Sequence, residues 1–522
     1  VQVIFKDRNV LLATTVAALG YFVDIFDLLL FALVRVRSLK DVLAPEIAAA
    51  QQKLLETARF ADSAAMERAK DMVADKVLRD AGVMLDNILQ MTGLVVGGIV
   101  WGVLADRLGR LQMLFGSILV YSVANILNAF VANVPADSMF SFMHVIGLGT
   151  AYNQYATLRF IAGFGLAGEL GAGITLVSEL VSKEQRGFAT TIVATVGIMG
   201  AVCAYFVTEL VADWRNAFLV GGMLGLALLF LRVGVVESGM FDRVKQSHAP
   251  GRGALWMLVW PAARARRYLA LVLSAVPIWY CVGVLVKYCD VIGVSLGMVG
   301  DAKPKPGLAI MWCYVGLALG DLGSGLLSQL LKSRKKALLV FHILSAVAIV
   351  AYFVIGPMDP RLFYLACGAV GFASGYWAVF VTTTAEQFGT NLRATATTSA
   401  PNFVRWSAAG SALLWHQFEV FFGGGGPASL PGDPSAPWRG AALVGAILVP
   451  VAMVAAMSLR ESFGSSLDWT EEADGSRSDG LDGHGTGGHG TGGHGTGGHG
   501  KGGHGKGAHG NHGSDKDAPR RA

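Results

Sequence analysis

Gly102-Val-Leu-Ala-Asp106-Arg107-Leu-Gly109-Arg110 is the stretch on which the fold turns. It packs charge and glycine between two long apolar segments. A bilayer tolerates such a cluster at its surface, where the chain must reverse and charges can find partners. Gly109 permits the sharp turn, and Gly102, with Gly93, Gly97 and Gly98, lets neighbouring helices approach closely. The stretch returns, degraded, as Gly325-Leu-Leu-Ser-Gln329-Leu-Leu-Lys332-Ser333-Arg334. A motif and its echo point to a duplicated membrane protein.

Composition agrees. The 522 residues are 53% hydrophobic and 15% charged, with a mean hydropathy of +0.51, whereas soluble domains carry about 25% charged residues. A span needs roughly 20 apolar residues. Windows of that kind predict an all-α membrane protein with twelve spans: 10–36, 85–105, 112–134, 155–180, 188–212, 216–236, 268–289, 307–331, 337–356, 362–385, 396–422 and 439–459. The first run leads straight into this pattern and reads as a span, not a cleaved signal. The predicted division is an N-terminal six-helix bundle over 1–236, a basic linker over 237–267, a C-terminal bundle over 268–459, and a tail from 460 to 522. Lys and Arg fall mainly in alternate loops, including Arg107, Arg110, Lys183, Arg186 and the Lys332–Lys336 cluster, so both termini are predicted on the cytoplasmic side.

Two insertions interrupt the spans. Residues 40–86 carry Leu54, Ala58, Ala61 and Ala65 at helical spacing and predict one or two amphipathic helices outside the membrane. Residues 135–154 are expected to cover the external face. The tail is glycine-rich and expected to be disordered; it places His484, His489, His494, His499, His504 and His509 at equal intervals. Neutral imidazoles on a flexible chain bind borderline divalent metals adventitiously, and no dedicated metal site is expected. The five cysteines, Cys203, Cys281, Cys289, Cys313 and Cys367, show no metal-ligand spacing and read as packing residues.

A second motif, Arg159-Phe-Ile-Ala-Gly163-Phe-Gly165-Leu-Ala-Gly168-Glu169-Leu-Gly171, opens the fourth span, which closes on Glu179 and Arg186-Gly187. Its end repeats as Glu386 and Arg393 at the same interval, and Gly168 has its counterpart in Gly375, while Tyr376 stands where Glu169 would be. These residues together resemble the major facilitator superfamily over nearly all of 10–459. Gly168-Glu169-Leu-Gly171 resembles its metabolite:proton symporter group, with phosphate symporters and sugar porters as near relatives, and Asp24-Ile-Phe-Asp27-Leu is similar to the acidic first-span pattern of those groups. The Tyr-Pro pair usual in phosphate symporters is replaced by Leu170-Gly171, which weakens that assignment.

The resemblance implies two pseudo-symmetric six-helix bundles around a central site, and no enzyme activity. Ionisable groups inside a bilayer raise a functional expectation. Asp27, Glu169 and Asp24 are the proton-coupling candidates, against helix pairing or a buried neutral acid. Arg159 and Arg405 are the substrate-anion candidates, against structural ion pairs, with Asp27 as Arg159's expected partner. Asp321 is expected either to pair with Arg405 or to stabilise the bundle. Tyr280 and Tyr376 are cavity-lining candidates beside Trp279 and Trp377, and His342 and His416 are weaker candidates for proton handling. Gly102, Asp106, Arg107, Gly109, Arg110, Glu179 and Arg186 read as a conformational latch on the cytoplasmic side. The expected function is proton-driven symport of a small organic acid or other anion by a monomer in the cytoplasmic membrane. A sugar, phosphate or drug facilitator, a metal exporter and a non-transporting sensor are the alternatives. Direct ATP drive is not expected, because no phosphate-cradling loop precedes a Lys-Ser/Thr pair; no cofactor and no nucleic-acid partner are expected.

Overall fold

The computed structural model describes residues 8–57, 62–135, 137–182, 185–231, 253–423, 433–472 and 477–479. Lys183, Ala58, Ala61, the linker over 237–252 and the histidines from His484 to His509 lie outside the described residues. The first span is Arg8–Val42. Two helices, Ala44–Thr57 and Ser63–Gly82, follow it, and a π-helical segment, Val83–Gln90, leads into the second span at Met91–Leu108. The third span is Arg110–Asn128, the fifth Arg186–Leu210 and the sixth Trp214–Leu231. The seventh, Ala262–Tyr280, continues through a second π-helical segment, Cys281–Val286; the eighth and ninth are Pro306–Leu330 and Arg334–Val354. The eleventh and twelfth are Arg393–Phe421 and Ala436–Ser458.

The fourth and tenth spans are broken at matching points. The fourth runs Ala151–Leu166 and resumes as Glu169–Leu180; the tenth runs Pro360–Ser374 and resumes as Trp377–Gln387. Gly168 sits in the first break, and a Cβ there would lie 2.8 Å from Ser117 Cβ. Gly375 sits in the second, where a Cβ would lie 2.5 Å from the backbone of Gly320 and Asp321. Breaks of this kind expose backbone groups and survive in a bilayer only where protein covers them.

By length and apolarity, eleven helices among the described residues can cross a membrane. The helix that misses this standard is Arg393–Phe421. Its first half, Arg-Ala-Thr-Ala-Thr-Thr-Ser-Ala-Pro-Asn, is polar yet wholly buried, because it faces the other bundle and not lipid. Outward faces are the reverse: Phe230 and Leu330 are each 80% exposed and Val347 63%, which suits a hydrocarbon solvent.

Across the interface between bundles, the second span packs on the eleventh and the fifth on the eighth. Three expectations need correction. The loop over 135–154 does not cover the bundle; it is tied to itself through Gln154 and His144 and leaves Met139, Phe142 and Val145 exposed. The seventh span starts at Ala262, inside the expected linker, because Arg264 and Arg267 are paired with Glu471 at the helix start while Arg266 stays exposed. Residues 461–472, expected to be disordered, are ordered: Leu467, Trp469 and Glu471 are buried anchors, and Trp469–Glu471 pairs with Arg477–Asp479 as a short antiparallel ribbon.

Candidate functional site

At Gly109 the chain turns with φ 123° and ψ 151°, a conformation that L side chains avoid. That turn ends the second span one residue after Leu108 and buries Asp106 against the start of the eleventh span. The Asp106 carboxylate accepts from Ala394 N (3.1 Å), Thr395 N (2.8 Å) and Thr395 Oγ1 (2.6 Å). A carboxylate from one bundle thus caps a helix of the other, satisfying its free amides and opposing its dipole. Gly102 lies one turn earlier, where a Cβ would stand 2.8 Å from Thr395 Cα. Gly98 likewise faces Asn402 on the eleventh span, while Gly93 and Gly97 face carbonyls of Phe160 and Phe164 on the fourth. Arg107 is exposed.

Those charges form two matching units. Glu179, at the end of the fourth span, accepts from Arg110 of its own bundle (3.1 Å) and from Arg393 of the other (2.8 Å). Glu386, at the end of the tenth, accepts from Arg334 of its own bundle (3.0 Å) and lies 3.7 Å from Arg186 of the other. Hydroxyl pairs repeat the pattern: Thr175 meets Thr397 and Thr190 meets Thr382, both at 2.7 Å. The close approaches repeat it too, since a Cβ on Gly325 would strike Thr191 much as one on Gly102 would strike Thr395. The echo at 325–334 is therefore a working half of the arrangement. Glu386, Arg334 and Arg393 belong to the same buried charge cluster as Glu179, Arg110 and Arg186, and their sequence signal was the repeat itself.

The segment 461–472 crosses this same end. Ser462 Oγ donates to Glu386 (2.8 Å), Ser465 O accepts from Arg186 (3.3 Å), and Leu467 O accepts from Arg393 (2.6 Å). It is a strap touching buried arginines from both bundles.

At the opposite end, Asp86 and Lys287 form an ion pair between bundles. Asp86 lies within the first π-helical segment and Lys287 directly follows the second. Neither carried a signal in the sequence beyond its charge.

Between the two ends lies a cavity of ≈ 20 Å³, lined by Tyr21, Trp279, Tyr314, Trp377 and Arg405 among apolar neighbours. That is room for about one water. Ion pairs at the two ends flank this small cavity. Arg405 pairs with Asp24 across the bundles at 3.2 Å, donates to Asn402 (3.2 Å), and stands 5.8 Å from the Trp377 ring. Behind Asp24, Asp27 abuts Gly221 and Asn125. Arg159 donates to Asn125, with its guanidinium 4.7 Å over Phe218. The expected Arg159–Asp27 pair is not formed: Arg159 bonds Asn125, and among the described residues neither Asp27 oxygen has a hydrogen-bond partner. Glu169 is buried at the start of the second half of the fourth span, and Asn402 donates to Ala167 O in that break (3.1 Å).

Other candidates fall elsewhere. Asp321 does not reach Arg405; it accepts from Ala378 N (3.0 Å) and caps the resumed tenth span, the stabilising role of its two alternatives. Tyr280 and Tyr376 are not among the residues lining the cavity: their hydroxyls donate to Ala441 O (2.6 Å) and Ser274 O (3.3 Å). Tyr21 and Tyr314, which were not singled out, occupy the wall. His342 is buried with both ring nitrogens against carbonyls, of Leu338 and Ser274, and His416 is exposed beside Glu419.

Comparison with known proteins gives a consistent picture. Residues 85–412 match the family model described as Major Facilitator Superfamily. A putative niacin/nicotinamide transporter of Bacillus subtilis is 26% identical over 332 residues, covering 62% of this chain and 75% of that protein. The 3-(3-hydroxy-phenyl)propionate transporter of Escherichia coli is 27% identical over 326 residues, covering 62% and 74%. Among solved structures, the proton:xylose symporter bound to 6-bromo-6-deoxy-D-glucose superposes with a TM-score of 0.62 at 16% identity, covering 88% of this chain and 98% of that one.

Proposed function

This chain belongs to the Major Facilitator Superfamily and is a multi-pass membrane transporter of small metabolites rather than an enzyme; on that premise we propose that it is a proton-coupled symporter of a small organic anion. The observation that carries this reading is the Asp24–Arg405 pair, which joins the two bundles beside an aromatic cavity. A guanidinium presents a planar fork suited to a carboxylate, and aromatic walls suit a flat ring. Two relatives are named for niacin/nicotinamide and for 3-(3-hydroxy-phenyl)propionate, so aromatic monocarboxylates are the first compounds to test.

In the proposed cycle, the substrate carboxylate displaces Asp24 from Arg405. Asp27, about one helical turn along the first span from Asp24, takes the coupling proton, with Glu169 as the second proton site. Neutralising these acids removes the charge that must not cross an apolar barrier alone. The gates then alternate: the Glu179 and Glu386 units separate while Asp86–Lys287 stays closed, and the reverse. The charged end is proposed to face the cytoplasm with both termini, as the Lys and Arg of its loops favour, and the protein is proposed to act as a monomer. The site residues of the proposal are Asp24, Asp27, Arg159, Glu169 and Arg405.

The test is substrate-driven alkalinisation outside proteoliposomes. Wild-type protein should alkalinise the medium with an aromatic carboxylate. Asp27→Asn and Glu169→Gln should each insert normally yet lose gradient-driven accumulation. Accumulation at the wild-type level by both variants would overturn the proton assignment.

A further inference from the structure

A second, larger cavity of ≈ 350 Å³ opens where the seventh span begins and the tenth and twelfth end, within the roughly 300–1,000 Å³ usual for ligand sites. Arg264, Arg266, Arg267 and Arg460 line it. Their charges are unevenly answered. Arg264 is buried and fully engaged, donating to Glu471 (2.9 Å) and to the carbonyls of Met257, Trp260 and Glu472. Arg267 shares Glu471, stacks 4.5 Å from the Phe388 ring, and keeps a buried Nε without a hydrogen-bond partner. Arg266 and Arg460 are exposed, and among the described residues no carboxylate lies within ion-pair distance of either. Glu471 therefore answers two of the four guanidinium groups, those of Arg264 and Arg267.

An apolar shelf adjoins this pocket in the chain. Trp256 is 53% exposed, Trp260 63% and Val259 63%, immediately before the seventh span, and Leu269 on that span is 54% exposed. Tryptophans collect at the level of lipid head groups, and basic pockets between spans take anionic head groups. We propose that this cavity is a binding site for the phosphate head group of an anionic phospholipid, with Arg266 and Arg460 as its phosphate ligands and the Trp256–Trp260 shelf beside the acyl chains. A free phosphate would satisfy the arginines but would leave the shelf unused, so the lipid is the assigned source.

The test uses full-length, delipidated protein in a neutral detergent, titrated with phosphatidylglycerol, phosphatidylcholine or inorganic phosphate, and read by native mass spectrometry and by melting. Phosphatidylglycerol should be retained over phosphatidylcholine and should raise the melting temperature, while inorganic phosphate leaves it unchanged. At about fivefold per basic residue near a membrane surface, Arg266→Gln/Arg460→Gln should weaken phosphatidylglycerol about 30-fold. Melting without lipid should stay the same, as both side chains are exposed. A single Arg460→Glu variant checks the effect independently of the double change. Equal retention of phosphatidylglycerol by the variants, equal retention of both lipids by wild-type protein, or the same melting shift with inorganic phosphate alone would each overturn the assignment.

Discussion

Arg405 shows how much one side chain decides here. It is buried, spans the two bundles through Asp24, and lies against Trp377. Removing one partner of a buried pair strands the other and costs about 3–5 kcal/mol, whereas removing both is often close to neutral. Arg405→Gln should therefore lower the melting temperature and abolish uptake. The double variant Asp24→Asn/Arg405→Gln should recover the stability but not the uptake, as measured by melting and radiolabelled substrate. Recovery of both would make the pair purely structural. The charge of Arg405 was legible in the sequence; its partner was not, because Asp24 lies 381 positions away and a pattern along one helix carries no information about the helix opposite. The same limit explains Asp321, whose partner is a backbone amide made available only by the break at Gly375.

Helix ends carry the next level of control. Asp106 caps the eleventh span and Glu461 caps the ninth. Glu461 accepts from Ser333 Oγ, Arg334 N (2.9 Å), Ser462 N (3.0 Å) and Phe463 N (3.0 Å). Burial works to raise its pKa, but these donors outweigh burial and hold the carboxyl below its usual value. A lowered folded-state pKa contributes stability that is complete above the unfolded value, about 4.3. That stability is lost as pH falls through the folded value. Wild-type melting temperature should therefore fall as the medium is acidified below about pH 4.3, with a steeper slope than in Glu461→Gln. Parallel melting curves would remove the cap from the account. At the other cap, Gly102→Leu should wedge the second span away from Thr395 and raise the reactivity of a cysteine placed at Thr397, read by maleimide labelling. Sequence reasoning recognised Gly102 as a close-packing site, since glycines at helical spacing have few other uses in a span. It did not separate Gly98 and Gly102, which face the other bundle, from Gly93 and Gly97, which face their own.

In the proposed cycle two latches flank the central cavity. Disabling one latch should bias access to its own side: Glu179→Gln/Glu386→Gln should favour opening at the charged end, and Asp86→Asn at the other. Cysteine accessibility from the two sides of an oriented vesicle checks this, and the same shift from both variants would contradict the two-latch scheme. Truncation after Leu459 should act like the first, because the strap over 461–472 bonds Arg186, Glu386 and Arg393 at once. Apolar windows, the glycine-charge turn, its echo and the Glu…Arg-Gly endings were enough to establish the membrane class and the duplication and to single out the buried charges of the N-terminal half. They sufficed because bilayer thickness and helix geometry act on contiguous sequence. The joining of Glu179 to Arg393, of Glu386 to Arg186, of Asp24 to Arg405 and of Asp86 to Lys287 had to await the packed structure. Each unites charges from different bundles, and burial in the interface between bundles is what makes every one of them a partner.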